Sequence, residues 1–267
     1  VEIVMAPLEK RFMTYILGRG VPPPNNATFR WCTRQIKVDP MKAALEYLHT
    51  ETGEKVLMLT GVRQGESAIR DQRIVMSCSK DGAECGQGWY QQTMPEDICD
   101  TLAPILHWRV CHVWEWLKHW APLPTYGDWS TTMIADAYGG DEAEEINART
   151  GCMGCPLTDK DTALDNLLKQ DKYKYLTPLK RLRPLWREMR EPKNRLRKTG
   201  KEENGEKNKQ RMGPLTMEAR QHAFDVIIGI QDEVNANRGK MPAIELLNYE
   251  EIVFIKKCWG CYYFSLY

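Results

Sequence analysis

Lys55-Val56-Leu57-Met58-Leu59-Thr60 runs directly into Gly61-Val62-Arg63-Gln64-Gly65-Glu66-Ser67, with Arg70 close behind. A short apolar run stopped by glycine reads as a buried strand ending at Gly61. A helix from about Pro40 to His49 precedes it. In open α/β sheets, ligands bind in the crevice beyond the carboxyl ends of the strands. Arg63 and Glu66 fall there. Upstream, Arg30-Trp31-Cys32-Thr33-Arg34-Gln35-Ile36-Lys37 sets guanidinium and ammonium groups beside a thiol. Forked Arg donors match phosphate oxygens in pairs, and Lys acts as a point charge. The two stretches therefore read as an anion-handling site suited to a nucleotide, with Arg30, Lys37, Arg63, Glu66 and Arg70 as its binding residues.

The chain has 267 residues, 42% of them hydrophobic and nine of them Trp, enough for one large domain or two modest ones. No apolar run reaches membrane-spanning length and no secretion signal is recognisable, which points to a soluble, cytoplasmic protein. The net charge of +1 hides an uneven distribution: Lys180 to Arg211 holds thirteen Lys or Arg against five Glu. The part from about 193 to 212 is poor in apolar residues and is expected to be a solvated loop. Such a loop can also track a phosphate backbone by releasing counterions.

Asp97 to Trp120 reads as helical pieces, with Trp114, Leu117 and Trp120 on one face and expected in the core rather than as a base-stacking platform. Beyond Thr162 the spacing is helical. Ala163, Leu164, Leu167 and Leu168 form one stripe, Thr216 caps a helix carrying Phe224, Ile227, Ile228 and Ile230, and a last helix starts near Asn248. Residues 161–267 are thus expected as a helical C-terminal region, after a first domain spanning 1–160.

Nine cysteines without an export signal favour metal binding, redox work or burial over disulfides. Cys152-Met153-Gly154-Cys155 has the spacing that turns two thiolates toward one metal. Cys78 with Cys85 forms a looser pair and Cys258 with Cys261 a second tight one. Cys99 and Cys111 are expected in the core. Nothing resembles a hydrolytic triad. His107, His112 and His119 read as structural, the acidic run Asp141 to Glu145 reads as a solvated helix start, and no residue is singled out as catalytic.

Several of these stretches together resemble the phosphoadenylyl-sulfate reductase superfamily, and within it the sulfur-inserting subunits of bacterial DNA phosphorothioation systems. The resemblance runs through Leu17-Gly18-Arg19-Gly20-Val21-Pro22-Pro23-Pro24, the Arg-Trp-Cys-Thr box at 30–33, and the Gly-Val-Arg box with Glu66, Ser67 and Arg70. It continues in Ala103-Pro104-Ile105-Leu106-His107-Trp108 with Val113-Trp114, in Arg149-Thr150-Gly151-Cys152-Met153-Gly154-Cys155, and in Gly213-Pro214-Leu215-Thr216-Met217-Glu218-Ala219-Arg220. It implies an α/β, adenine-nucleotide α-hydrolase-like (Rossmann-like) core with a helical C-terminal region. The family's Ser-Gly-Gly-Lys-Asp-Ser-like phosphate loop has no counterpart, so the core is expected to be N-terminally incomplete and inactive alone.

Carried over, the resemblance makes Cys32, Cys152 and Cys155 ligands of a 4Fe-4S cluster. The family's further cysteine before its C-x-x-C is missing, and Cys85 is expected to replace it, with Cys78 in reserve and Cys258 or Cys261 as rivals. Zinc is the alternative metal, since four thiolates suit it equally. The implied reaction is ATP-dependent activation of a DNA backbone oxygen followed by its displacement with sulfur. The partners it implies are DNA, a cysteine desulfurase and other modification subunits. A reductase of adenylyl sulfate or its phosphorylated form, and a non-catalytic metal-stabilised nucleic-acid-binding module, are the competing readings.

Overall fold

A computed structural model describes residues 3–25, 30–65, 68, 71–72, 74–75, 97–139, 152–198, 202–203, 206–207 and 211–264. The chain divides into two compact units, Val1–Val38 with Arg149–Tyr267, and Asp39–Ala148. This division differs from the partition 1–160 and 161–267, because the first 38 residues group with the C-terminal half.

The unit Asp39–Ala148 opens with the helix Asp39–Thr52, which buries Pro40 and Leu45. Strand β1, Val56–Leu59, follows and lies parallel to β2, Cys99–Leu102, with Val56 opposite Cys99 and Leu59 opposite Leu102. Successive side chains of a strand point to opposite faces. Here Val56 and Met58 turn inward beside Cys99 and Thr101, whereas Leu57 and Leu59 are 51% and 65% exposed. The strand expected to be buried is therefore covered on one face. A second correction concerns residues 97–120. They begin with β2, and helix starts only at Val110–Glu115, continuing in Trp116–Trp120. Ile74, Ala103 and Leu106 form a small core against Val62 beyond the strand ends. A helix leading into a parallel strand pair makes this an α/β unit.

The other unit is mainly helical. Asp161 caps Thr162–Leu167, and the chain continues through Asp171–Arg181 and Leu182–Glu188 to the long helix Met217–Asn237. The Thr216 hydroxyl accepts from Ala219 N at 3.2 Å, the cap expected there. Leu164, Leu167, Ile227 and Ile230 are buried as their spacing requires, while Leu168 and Ile228 are half-buried. The last helix, Tyr249–Phe264, starts from a reciprocal box in which Asn248 and Glu251 each accept the other's backbone N–H. The region is not purely helical. The expected loop at 193–212 is bounded by β3, Arg195–Lys198, which pairs antiparallel with β6, Arg211–Leu215. Between them β4, Glu202–Glu203, pairs antiparallel with β5, Glu206–Lys207.

The N-terminal segment is locked into this unit by polar contacts far apart in sequence. The helical turn Thr14–Gly18 buries Ile16 and Leu17, and the Leu17 carbonyl accepts from Arg220 Nε at 2.6 Å and Trp259 Nε1 at 2.9 Å. Arg220 also donates to the Gly18 carbonyl. Leu215 N donates to the Gly20 carbonyl at 2.7 Å. Bonds to a buried cation are stronger than neutral ones, and each carbonyl would otherwise end its helical turn unpaired.

Candidate functional site

The C-x-x-C turn is held tightly from outside. Cys155 N donates to the Cys152 carbonyl at 3.0 Å. The Asp161 carboxylate accepts from Gly154 N at 2.6 Å through one oxygen and from Leu164 N at 3.4 Å through the other, so one side chain ties the thiol turn to the next helix. Two arginines grip the exit: Arg190 donates to the Pro156 carbonyl at 3.1 Å and Arg183 to the Thr158 carbonyl at 2.6 Å. Gly154 sits in the left-handed region, φ +68°, and a Cβ there would lie 2.7 Å from Leu182 Cβ. Both its conformation and its surroundings require glycine.

Cys32 approaches this turn on an aromatic mount. It lies in the short helix Trp31–Thr33, which runs into Arg34–Val38. Trp31 stacks on Phe12 at 5.5 Å, packs on Tyr15 at 4.7 Å, and donates through Nε1 to the Pro22 carbonyl at 3.2 Å. Phe12 meets the buried Trp186 edge-on at 5.5 Å, on the helix whose Leu182 lies under Gly154. Burial pushes the Cys32 thiol above its ordinary pKa. Charge on Cys155 and on Cys152 pushes the same way, against hydrogen bonding with Thr33. Cys32 therefore feels the charge of both thiols of the turn, and a cation bound beside it would favour its thiolate.

Cys152 is exposed and Cys155 half-buried. Among the described residues, no three or more His, Cys, Asp or Glu side chains close around a single ion. The donor chemistry suits a thiolate-held group, with Cys32 within electrostatic reach of Cys152 and Cys155. Cys85 and Cys78, expected to complete the set, lie outside the described residues. Cys258 stands elsewhere, its Sγ facing Gly18. Arg30 and Lys37 flank Cys32 and are both exposed.

In the α/β unit, the loops leaving the two parallel strands run side by side. Thr60 N donates to the Leu102 carbonyl and Gln64 N to the Leu106 carbonyl, each at 2.9 Å. The Gln64 side chain also meets His107 Nδ1 at 3.2 Å. Arg63 lies half-buried in this loop, at the carboxyl end of β1, the usual ligand position of an α/β sheet. Glu66 and Arg70 lie outside the described residues.

Residues 19–121 match the phosphoadenosine phosphosulfate reductase domain. No curated protein and no solved structure matches the chain. The reductase-domain match takes in Arg30, Cys32, Lys37 and Arg63 and supports sulfur-related nucleotide chemistry; Cys152 and Cys155 lie beyond it. Among the described residues no helix is long and apolar enough to cross a membrane.

Two expectations about side chains are corrected. Cys99 is fully buried, but Cys111 is exposed. Trp114 is buried, whereas Trp120 is 43% exposed and belongs to an open aromatic face rather than the core. The supports of the thiol turn, Asp161, Arg183 and Arg190, were not singled out from sequence. Only Asp161 leaves a local signal, as an acidic residue just before a helical stripe.

Proposed function

We propose that this chain is the sulfur-inserting part of a nucleic-acid-modifying enzyme of the DNA phosphorothioation type, built on an adenine-nucleotide α-hydrolase-like core. In this reading ATP adenylylates a backbone phosphate oxygen with release of pyrophosphate. Sulfur delivered as a persulfide by a cysteine desulfurase then attacks phosphorus and displaces the activated oxygen, which leaves with AMP, and an external thiol reduces the resulting S–S bond to free the phosphorothioate. The observation that supports this reading is that Cys32, though more than a hundred residues away in sequence, lies within electrostatic reach of Cys152 and Cys155. Cys32 itself stands between the exposed cations Arg30 and Lys37 in sequence.

Arg30, Lys37, Arg63 and Arg70 neutralise phosphate charge, as phosphoryl chemistry requires, and Glu66 orients guanidinium groups. Cys32, Cys152 and Cys155 hold the metal group, with Cys85 as fourth ligand. A 4Fe-4S cluster supplies, when bound, a thiophilic site for sulfur; zinc in its place would supply only structure. The basic stretch around β3 and β6 follows the nucleic-acid backbone. A reductase of adenylyl sulfate would use the same thiols and differs in releasing sulfite from a small nucleotide.

The test is anaerobic purification of the wild type and Cys152→Ser with iron, sulfide and zinc analysis and a visible spectrum. About four irons and four sulfides per chain, lost in the variant, are expected. Stoichiometric zinc without a chromophore would overturn the cluster and favour a non-catalytic binding module. Sulfite release from adenylyl sulfate by the iron-loaded protein would move the assignment to the reductase.

A further inference from the structure

The helix Leu182–Glu188, whose Leu182 lies under Gly154, carries arginines on the side that its core residues leave open. Leu182, Leu185, Trp186 and Met189 are buried. Between them Arg183, Arg187 and Arg190 recur at steps of four and three residues, the spacing of neighbours on one helical face. Arg183 and Arg190 are half-buried and Arg187 is exposed. Like charges at this spacing repel, and partial burial removes water that would otherwise solvate them. Arg190 shows the result. Burial pulls its guanidinium below its ordinary pKa, and the charge of Arg187 pulls the same way.

Among the described residues no carboxylate forms an ion pair with any of the three. The nearby acids are engaged elsewhere: Asp161 accepts from Gly154 N and Leu164 N, Glu188 faces His222 at 3.8 Å, and Glu191 holds Lys193 at 3.1 Å. Asp159 stands beside Lys160 in sequence. Arg183 donates through Nη2 to the Thr158 carbonyl, while its Nε is buried without an acceptor. A buried charged donor left unpaired is costly and calls for a partner such as water or an anion.

We propose that Arg183, Arg187 and Arg190 form an oxyanion site that holds a substrate phosphate beside the thiol turn. A guanidinium presents five donors in a planar fork that phosphate oxygens match. Position gives the site its role. Arg190 grips the carbonyl of Pro156, the residue after Cys155, and Arg183 that of Thr158, so an anion on their remaining donors stands within a few residues of the thiols. The proposal rests on the thiol turn being where sulfur meets the substrate, and it adds the groups that bring a phosphate there. A nucleic-acid backbone and a free nucleotide both carry that phosphate.

The test follows the thermal melt of the full chain in increasing inorganic phosphate against chloride at matched ionic strength. A ligand that binds the folded state raises the melt, and a saturable rise is expected. Arg187→Gln should move its midpoint to roughly 10-fold higher phosphate, while Arg187→Lys keeps part of the effect as a point charge. Arg187 is exposed and makes no bond to the thiol turn, so its loss leaves that turn intact. Arg183→Lys, which keeps the charge and loses the fork, should also weaken the response. Binding of a labelled duplex oligonucleotide and of AMP is then compared in wild type and Arg187→Gln. A loss confined to the oligonucleotide assigns the phosphate to a nucleic-acid backbone, and a loss confined to AMP assigns it to a free nucleotide.

No rise beyond that in chloride, or an unchanged midpoint in Arg187→Gln, overturns the site and leaves the sulfur-insertion reading standing. A phosphate site of the expected strength in a chain that holds zinc and no iron keeps the site and overturns that reading.

Discussion

The thiol turn and the loop after β1 are both short, glycine-bearing segments that place chemistry at the end of an element, yet they are held in opposite ways. Around Cys152 and Cys155 the backbone is pinned by Asp161, Arg183 and Arg190, and Gly154 fits against Leu182 with no room for a methyl group. Around Arg63, Gly65 has a similar left-handed backbone, φ +82°, but among the described residues nothing lies within 4 Å of where a Cβ would stand. Its N–H rests on Asp71 at 3.0 Å. The first segment is preorganised before any ligand arrives. A soft metal needs its thiolates fixed in direction, whereas a nucleotide phosphate can be met by side chains that adjust.

The sharpest way to break this contrast is to remove the mount of the thiol site. Trp186→Ala deletes a buried indole that meets Phe12 edge-on, and Phe12 in turn stacks on Trp31 beside Cys32. A loss of about 3–5 kcal/mol is expected, as for large aromatic truncations in a core. Urea unfolding reads the stability, and the rate of Cys32 modification by a thiol reagent reads the loosened mount. An unchanged modification rate with a large stability loss would mean that the aromatic chain supports the fold but not the thiol.

Next comes a matched pair. Gly154→Ala forces a methyl against Leu182, for which overpacking costs about 1–3 kcal/mol, added to about 1–2 kcal/mol for a left-handed non-glycine residue. Gly65→Ala meets only the second cost. Thermal melts of the two variants should therefore differ clearly, with metal content falling only in Gly154→Ala. Equal destabilisation would show that the open space beside Gly65 is filled in solution.

The outer face of β1 gives a smaller effect. Leu59→Thr exchanges an exposed apolar side chain for a polar one that also favours strands, and a change within about 0.5 kcal/mol is expected. A loss several times larger would show that Leu57 and Leu59 are covered in the protein in solution.

What the sequence made legible follows the range of the interactions involved. The strand Val56–Leu59, the helix Asp39–Thr52 and the stripe of Ile227 and Ile230 are local patterns, and periodicity found them. β2 escaped because Cys99-Asp100-Thr101-Leu102 has two polar side chains and becomes a strand by pairing with β1, some forty residues earlier. The charges of Arg195 to Arg211 suggested a solvated loop, yet β3 and β6 close on each other through backbone bonds that charge does not forbid. Nothing local announces that Arg220 and Trp259 will hold Leu17, more than two hundred residues away. Cys32, Cys152 and Cys155 were singled out by type and resemblance. Their supports were not, because a salt-bridging arginine and one gripping a carbonyl look alike in sequence.

The smallest expected effect concerns the anchoring of the N-terminal segment. Glu251 is half-buried, 3.8 Å from Arg11 and paired with Asn248 at the start of the last helix. Burial raises its pKa above the ordinary 4.5, and Glu245 and Glu250 add to the rise. The hydrogen bond from Asn248 and the charge of Arg11 oppose it without reversing it. A raised folded-state value means that the folded protein holds this proton more tightly than the unfolded chain. The resulting stabilisation is complete below the unfolded value and is lost as pH rises through the folded one. Glu251→Gln keeps an acceptor for Asn248 N and never ionises. Its melting temperature relative to wild type should therefore rise from acid toward neutral pH, by a small amount that salt reduces little because the group is partly buried. The opposite slope would mean that attraction to Arg11 outweighs burial, and that the N-terminal segment is held to the last helix chiefly by charge.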